Sequence, residues 1–504
     1  MTIDGVSGRT SYLGSSILNI KSQLDVLTEQ LASGKKSSTY AGLGVDAGTA
    51  TGLRAQLSSI SNYANTATIL NTRINVANLS LQNISKAGSE TKAAAAGATL
   101  TLDNTGQTAG QQTAMASFTQ MVALLNTAVG GRYLFSGRAT DTPATQSADA
   151  ILNGTGAQAG LIQLIDERSQ ADGTGGLGRL VITSPTATSV TLGEDVTGSP
   201  FGLKLSAITS TLSGSTVTAP PATPPVLPAL PAEMSVDLGV TNPVDGQKIK
   251  FTFTLPDGTS ESIELTASSA VPVPVGGFAI GVDSTATTAN LNVALTTAVG
   301  TLANTALVAA SAMAASDNFF SSSPPLRVGG PPFATATALV NGTAANTVSW
   351  YTGETGTDPA RGTAVAGVDQ SITVQYGARA NEHAFVAQLK NIAVYAAVTT
   401  NASNPNANGQ LTALNSRVVD NLAVQPGQQS IQDIQSDFAG AQAAIKTAKD
   451  RQTQTGAIAQ SLLDSIQGIS DDEVATKILA LQTSLQASYQ TTASLYQMSL
   501  LKFL

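Results

Sequence analysis

Both ends of this chain carry apolar residues at alternating steps of four and three, and that spacing constrains the fold more than any other feature. Near the N-terminus, Leu13, Ile17, Ile20, Leu24, Leu27 and Leu31 follow it without a gap. Residues so spaced share one face of a helix, and Lys21, Gln23, Asp25 and Glu29 fall elsewhere. The stripe stops at Ser33-Gly34-Lys35-Lys36, where Gly34 predicts a helix end. At the other terminus Val474, Ile478, Leu481 and Leu485 lie on one seam, which Tyr489, Thr492, Tyr496 and Leu500 are expected to extend. A single amphipathic helix cannot bury its stripe alone and is marginal in water. The stripes must therefore meet each other or a neighbouring molecule. An internal bundle and a subunit interface both satisfy that demand.

The same period recurs further in. After a glycine-rich stretch from Ala41 to Gly52, Leu53, Leu57, Ile60, Ala64 and Ala67 are followed, after one extra step of three, by Leu70, Ile74, Ala77, Leu81 and Ile84. A missing residue in a heptad overwinds a coiled coil locally without ending it, so one long helix is predicted over roughly 50–97. A third helix is expected over about 107–130, with Met115, Phe118, Val122, Leu125 and Val129 on one face, ending at Gly130-Gly131. The period returns near Asn381 with Phe385, Leu389, Ile392 and Ala396, and again with Ile431, Ile434, Phe438, Ala441 and Ile445.

From about 140 to 375 the pattern changes to short β-type runs between Gly, Pro, Ser and Thr clusters. Leu180–Thr183 and Ser189–Leu192 read as strands. Ile249–Leu255 alternates and Pro256-Asp257-Gly258 turns it toward Glu261–Leu265, a hairpin signal. Six prolines between 219 and 231 predict a stiff linker or exposed loop. A helix is expected near 288–310. The expected class is α+β: terminal helices packed as an antiparallel coiled-coil or helical-bundle rod, with β-rich outer domains inserted between them. The expected divisions are a helical segment 1–140, a first β-rich part 141–218, the Pro-rich 219–231, a second β-rich part 232–378, and a helical segment 379–504. The residues expected at a helix–helix interface are Ile17, Ile20, Leu24, Leu27, Leu31, Val474, Ile478, Leu481, Leu485, Tyr489, Leu495 and Leu500.

Composition narrows the function. Of 504 residues only 12% are charged, against about 25% in a typical chain. A surface with few charges lets subunits approach without strong repulsion. The net charge is −8, and the 25 Lys and Arg form no dense run, which disfavours nucleic-acid binding. No run of about 18 uninterrupted apolar residues occurs, so membrane insertion is not expected. The absence of cysteine removes disulfides, thiolate nucleophiles and Cys-based metal sites. Met1–Arg9 lacks a basic region followed by an apolar one, so it does not read as a Sec signal peptide.

Several segments carry a resemblance. Gln30-Leu31-Ala32-Ser33-Gly34-Lys35-Lys36 is similar to the turn after the first helix of flagellins. Gly131-Arg132-Tyr133-Leu134-Phe135-Ser136-Gly137 with Thr140-Asp141-Thr142-Pro143, and Leu485-Gln486-Ala487-Ser488-Tyr489-Gln490 with Leu495 and Ser499–Leu504, resemble the hook-associated type 3 (hook–filament junction) branch of that family. Asp471-Asp472-Glu473 falls where the family places acidic residues before its last helix. The stretch Thr39–Asp46 departs from the family by having one Asp and extra glycines. The resemblance spans roughly 10–140 and 380–504. It implies an inner layer of terminal helices with outer domains facing solvent, an extracellular place in the flagellum, and type III export without a Sec signal. The partners it implies are further copies of the chain, an adjacent hook-associated protein, flagellin, and an export chaperone at the C-terminal helix. Filament flagellin is the alternative within the family, and a secreted adhesin or surface-layer protein the alternative outside it.

Catalytic constellations are missing from the sequence. His383 is the sole histidine, so a zinc site of the H-E-x-x-H kind cannot form, and its place at a helix start argues against a Ser-His-Asp triad. Gly173-Thr174-Gly175-Gly176-Leu177-Gly178 matches G-x-G-x-x-G, but the strand-like residues follow it, whereas a dinucleotide site needs a strand before it and a helix after it. The carboxylates at 471–473 sit where a helix dipole favours negative charge. No catalytic, cofactor or metal residues are expected.

Overall fold

The computed structural model describes residues 4–97, 99–220 and 230–501, with side chains over 11–97, 99–220 and 230–497. Most of the Pro-rich 219–231 thus lies outside the described residues, as do Met1–Ile3, the side chains of 4–10 and the side chain of Leu500. The protein is mixed α and β, helical toward both termini and β-rich in the middle. It divides into two compact units. The first comprises 1–71, 366–374 and 441–504; the second comprises 72–365 and 375–440.

In the first unit, helix α1 (Asp4–Ser33) packs against the last helix, α11 (Asp471–Leu501). Helix α2 (Ala47–Ala96) begins here, and α10 (Ile431–Gln467) ends here. These two meet where a Cβ at Gly456 would lie 3.8 Å from Ile60, and both helices carry buried alanines, Ala50 and Ala67 on α2 and Ala448 and Ala459 on α10. Arg54 Nη2 donates to Gln467 Oε1 at 2.9 Å, and Lys449 Nζ to Thr68 Oγ1 at 3.2 Å, so the helices run antiparallel. A short excursion at 366–374 also belongs to this unit. Gln452 of α10 donates to the carbonyl of Val368 at 2.6 Å, and Arg451 Nε to Asp369 Oδ2 at 2.8 Å.

The second unit combines helices with two four-stranded sheets and smaller two-stranded pairings. Helix α3 (Ala109–Leu125) is opened by a capping box: Thr108 Oγ1 accepts from the Gln111 amide, and the Gln111 side chain accepts from the Thr108 amide. Gln111 Nε2 also donates to the carbonyls of Tyr395 and Val398, fastening α3 to helix α8 (His383–Ala397). Strands β1 (Ala128–Val129) and β2 (Arg132–Tyr133) form a two-residue hairpin over Gly130-Gly131, both with positive φ as such a turn requires. Helices α4 (Ala148–Asn153) and α5 (Leu161–Ala171) follow.

Strands β3 (Leu180–Thr183), β4 (Ser189–Glu194), β5 (Lys204–Ser210), β6 (Thr216–Thr218), β7 (Glu233–Asp237), β8 (Lys248–Thr254), β9 (Ser260–Ser268) and β10 (Gly277–Ala279) make two four-stranded sheets. Their orders are β3-β4-β7-β6 and β10-β9-β8-β5. The β8–β9 hairpin turns at Pro256-Asp257-Gly258 as expected, with Ile249, Phe251 and Phe253 pointing into the core. Helix α6 (Ser284–Ala303) packs on β4, β9 and β10 and closes that core with Leu291, Leu295 and Val299. Helix α7 (Ala306–Ser321) packs against α5, α8 and helix α9 (Ala407–Asn421). The run Ser284–Ser321 is apolar and long enough to cross a membrane by composition alone. It breaks at Asn304-Thr305, however, and buries most of α7, the behaviour of a core helix.

These units differ from the divisions expected from composition. Residues 72–140 fall in the second unit, because α3 packs on α8 and Gly88 of α2 faces Gln388 of α8. Residues 366–374 fall with the terminal helices through the Arg451 and Gln452 contacts.

The link between α2 and α3 folds around one exposed carboxylate. Asp103 Oδ1 accepts from the amides of Thr105 and Gln107 and from the Thr105 hydroxyl. The Gln107 amide foremost, then the Thr105 hydroxyl, pull its pKa down to about 2. Since the folded value lies below the unfolded one, the ionised Asp103 supports this turn fully above about pH 4, and that support disappears as pH falls through about 2. Protection of the Thr105 and Gln107 amides, taken relative to intrinsic exchange at each pH, is therefore expected to persist at pH 4 and to fall toward pH 2. In Asp103→Asn that protection should be low at both. Loss of protection centred near pH 4 in the parent protein would contradict this.

Candidate assembly interface

The terminal helices present the sequence-predicted stripe residues as a matched pair. Leu13, Ile17, Ile20, Leu24 and Leu27 form the half-buried face of α1, while Leu31 at its end is exposed. On α11 the corresponding face runs Val474, Ile478, Leu481, Leu485, Ser488, Thr492 and Leu495, in steps of four and three throughout. Only Val474 among these is fully buried. Tyr489 and Tyr496, read as part of this seam, instead point outward at 55% and 60% exposure. The seam continues through small and polar residues, which carry a weaker periodic signal than the tyrosines beside them.

The pair is pinned at one end. The residues after α1 and those before α11 form an antiparallel bridge between Lys35 and Gly468. The Lys36 amide donates to the Gln467 carbonyl at 2.7 Å, and the Ile469 amide to the Gly34 carbonyl at 3.2 Å. Gly34 adopts φ +64°, the left-handed conformation that ends a helix there. Arg54 lies over the Tyr40 ring and donates to its hydroxyl, tying the following turn to α2. The carboxylates at the α11 start lie in its first turn. The Lys477 side chain, and secondarily Lys36, hold Glu473 below its ordinary pKa.

A two-helix pair leaves its outer surface uncovered. Tyr12, Leu18 and Val26 of α1 and Leu479 of α11 are at least half exposed. On one flank a shallow groove is lined by Val26 and Leu27 of α1 and Ala480 and Leu481 of α11, with Gln23 and Lys477 at its edge.

The Arg132–Gly137 motif plays a different part in the second unit. Phe135 is fully buried, edge-on to Phe385 of α8 with ring centres 5.5 Å apart. Its carbonyl accepts from the Ala380 amide at 2.8 Å, and the Gly137 amide donates to Ala378 at 3.1 Å. Ser136 Oγ donates to Thr142. Arg138 pairs with Glu354 at 2.6 Å and Asp358 at 2.8 Å, and Arg361 pairs with Glu382 while lying over the Phe438 ring. The motif thus sews 128–142 to 351–382. Sequence reading missed Glu354, Asp358, Arg361 and Glu382, because single charges more than 200 residues from the motif form no local pattern.

Gly137 has φ +65°, and a Cβ there would lie 2.5 Å from Glu354 Oε2. Gly130 has a similar φ with no neighbour within 4 Å. Gly137→Ala is expected to cost more than the roughly 1–2 kcal/mol of a left-handed alanine, and Gly130→Ala only about that penalty. Equal losses in denaturant unfolding would contradict a role for the Glu354 contact.

The remaining motifs serve structure. Gly173–Gly178 is preceded by helix α5 and followed by strand β3, the reverse of a dinucleotide site, and the Gly178 amide closes onto the Gly173 carbonyl at 3.2 Å. His383 is exposed at the start of α8. Among the described residues no group of His, Asp and Glu side chains is arranged to hold a metal. No protein-family model matches the chain, and comparison with curated proteins yields no match.

Proposed function

We propose that this protein is an extracellular structural subunit of the bacterial flagellum, of the hook-associated type 3 kind, and that it assembles through its terminal helices rather than catalysing a reaction. The observation that carries this reading is the α1–α11 pair. Its facing stripes keep heptad spacing but remain half-buried, while Leu18, Val26, Leu479, Tyr489 and Tyr496 face outward. Such a pair gains stability when a neighbouring helix layer covers it. Heptad spacing on both members supports an antiparallel coiled coil as the packing in the assembled state.

The proposed partners are further copies of the chain, an adjacent hook-associated protein and flagellin. An export chaperone would guard the C-terminal helix. The YLFSG and LQASY segments favour the junction over the filament.

Deleting the chain in a flagellated host tests this. Loss of hook-attached filaments, with unpolymerised flagellin released, is the expected result; normal attached filaments would refute the junction role. Mass spectrometry of sheared filaments separates the alternatives. A junction protein is nearly invisible there, whereas filament flagellin dominates.

A further inference from the structure

Eleven of the twelve arginines have described side chains; Arg9 is the exception. Nine of the eleven are engaged: Arg54 with Tyr40 and Gln467, Arg379 with backbone carbonyls, and Arg138, Arg168, Arg179, Arg327, Arg361, Arg417 and Arg451 with carboxylates. Of the described arginine side chains, only those of Arg73 and Arg132 have neither a hydrogen-bond nor an ion-pair partner. Both line the same cavity of about 270 Å³ in the second unit. Arg73 Nε is shielded from solvent and unsatisfied.

We propose that this cavity is a binding site for a small oxyanion, a phosphate or a carboxylate, gripped by the guanidiniums of Arg73 and Arg132. Leaving a buried N–H unpaired is unfavourable, and a charge-assisted, bidentate oxyanion contact removes that cost. The nearby carboxylates are not available to do so. Glu354 and Asp358 are held by Arg138, and Glu382 by Arg361. Asp141, one residue from the cavity wall at Thr140, pairs with neither free arginine. Tyr133 and Tyr376 also border the space and bring phenol hydroxyls that can donate to an anion. The volume equals that of roughly nine liquid waters, enough for phosphate or a small carboxylic acid. In a chain of net charge −8, two unpaired arginines lining one cavity are an exception to the overall charge. The inference concerns the second unit alone and does not depend on flagellar assembly.

Isothermal titration calorimetry of the full chain tests it, with inorganic phosphate and acetate as separate titrants in chloride buffer of constant ionic strength. One saturable site for at least one anion is expected, and the better-bound anion identifies the ligand class. Arg132→Gln and Arg73→Gln should each weaken that binding at least tenfold. Arg132 is exposed and makes no contact that folding needs, so its variant keeps the test valid if Arg73→Gln fails to fold. Absence of saturable heat with both anions, or unchanged affinity in folded Arg132→Gln, would overturn the proposal.

Discussion

Placing aspartates at Leu27 and Leu481 together is expected to abolish incorporation of the chain into any assembly while leaving the second unit folded. The two leucines line the same groove between α1 and α11. Fully burying one leucine stabilises by about 1.5–3 kcal/mol. The pair has no deep core to absorb the loss, since among the described stripe residues only Val474 is fully buried. Two carboxylates facing each other across the groove also repel. Circular dichroism should show helix lost at the termini, and the calorimetric transition of the second unit should be unchanged. In a flagellated host the variant should appear in the medium and not on the flagellum. Incorporation at the parental level would show that these helices do not form the contact surface.

Phe135→Ala is expected to have the largest effect on the second unit. Truncating a fully buried phenylalanine costs about 3–5 kcal/mol, and the edge contact with Phe385 is lost besides. The cavity would open beneath the strand-like crossing in which Phe135 and Ser136 bond to Ala380 and Glu354. Denaturant unfolding should show a lower midpoint, and Phe135→Leu, which keeps most of the volume, should recover more than half of the loss. Equal losses in both variants would mean that the aromatic shape, and not filled volume, sets the stability there.

Much of this architecture was legible in the sequence, for identifiable reasons. The α1 stripe from Leu13 to Leu27 is written in large aliphatic residues at one period, so the spacing alone located the face. The β8–β9 hairpin was marked by alternation and by Pro256-Asp257-Gly258, whose glycine takes φ +80°. The far end of α11 departs from the expected seam at two positions: the partly buried side runs through Ser488, Thr492 and Leu495, while Tyr489 and Tyr496, each one residue past that side, face solvent. Sheet order was not legible either. Strand β5 leaves its sequence neighbours β4 and β6 to pair with β8, and only side-chain packing between distant segments selects that partner. The placement of 366–374 with the terminal helices depends on Arg451 and Gln452, single polar contacts without a periodic signature. Arg73 and Arg132 look ordinary in sequence. They stand out only once every other described arginine is seen to be engaged.

Immunogold electron microscopy of intact flagella tests the central claim most directly. A label raised against the β-rich region, which contains the fully exposed Val240 and Val275, should decorate the boundary between hook and filament, and should vanish from it when α1 or α11 is removed. Label along the whole filament would make the chain a flagellin. Label away from the flagellum altogether, or boundary label that survives loss of both terminal helices, would contradict assembly through those helices.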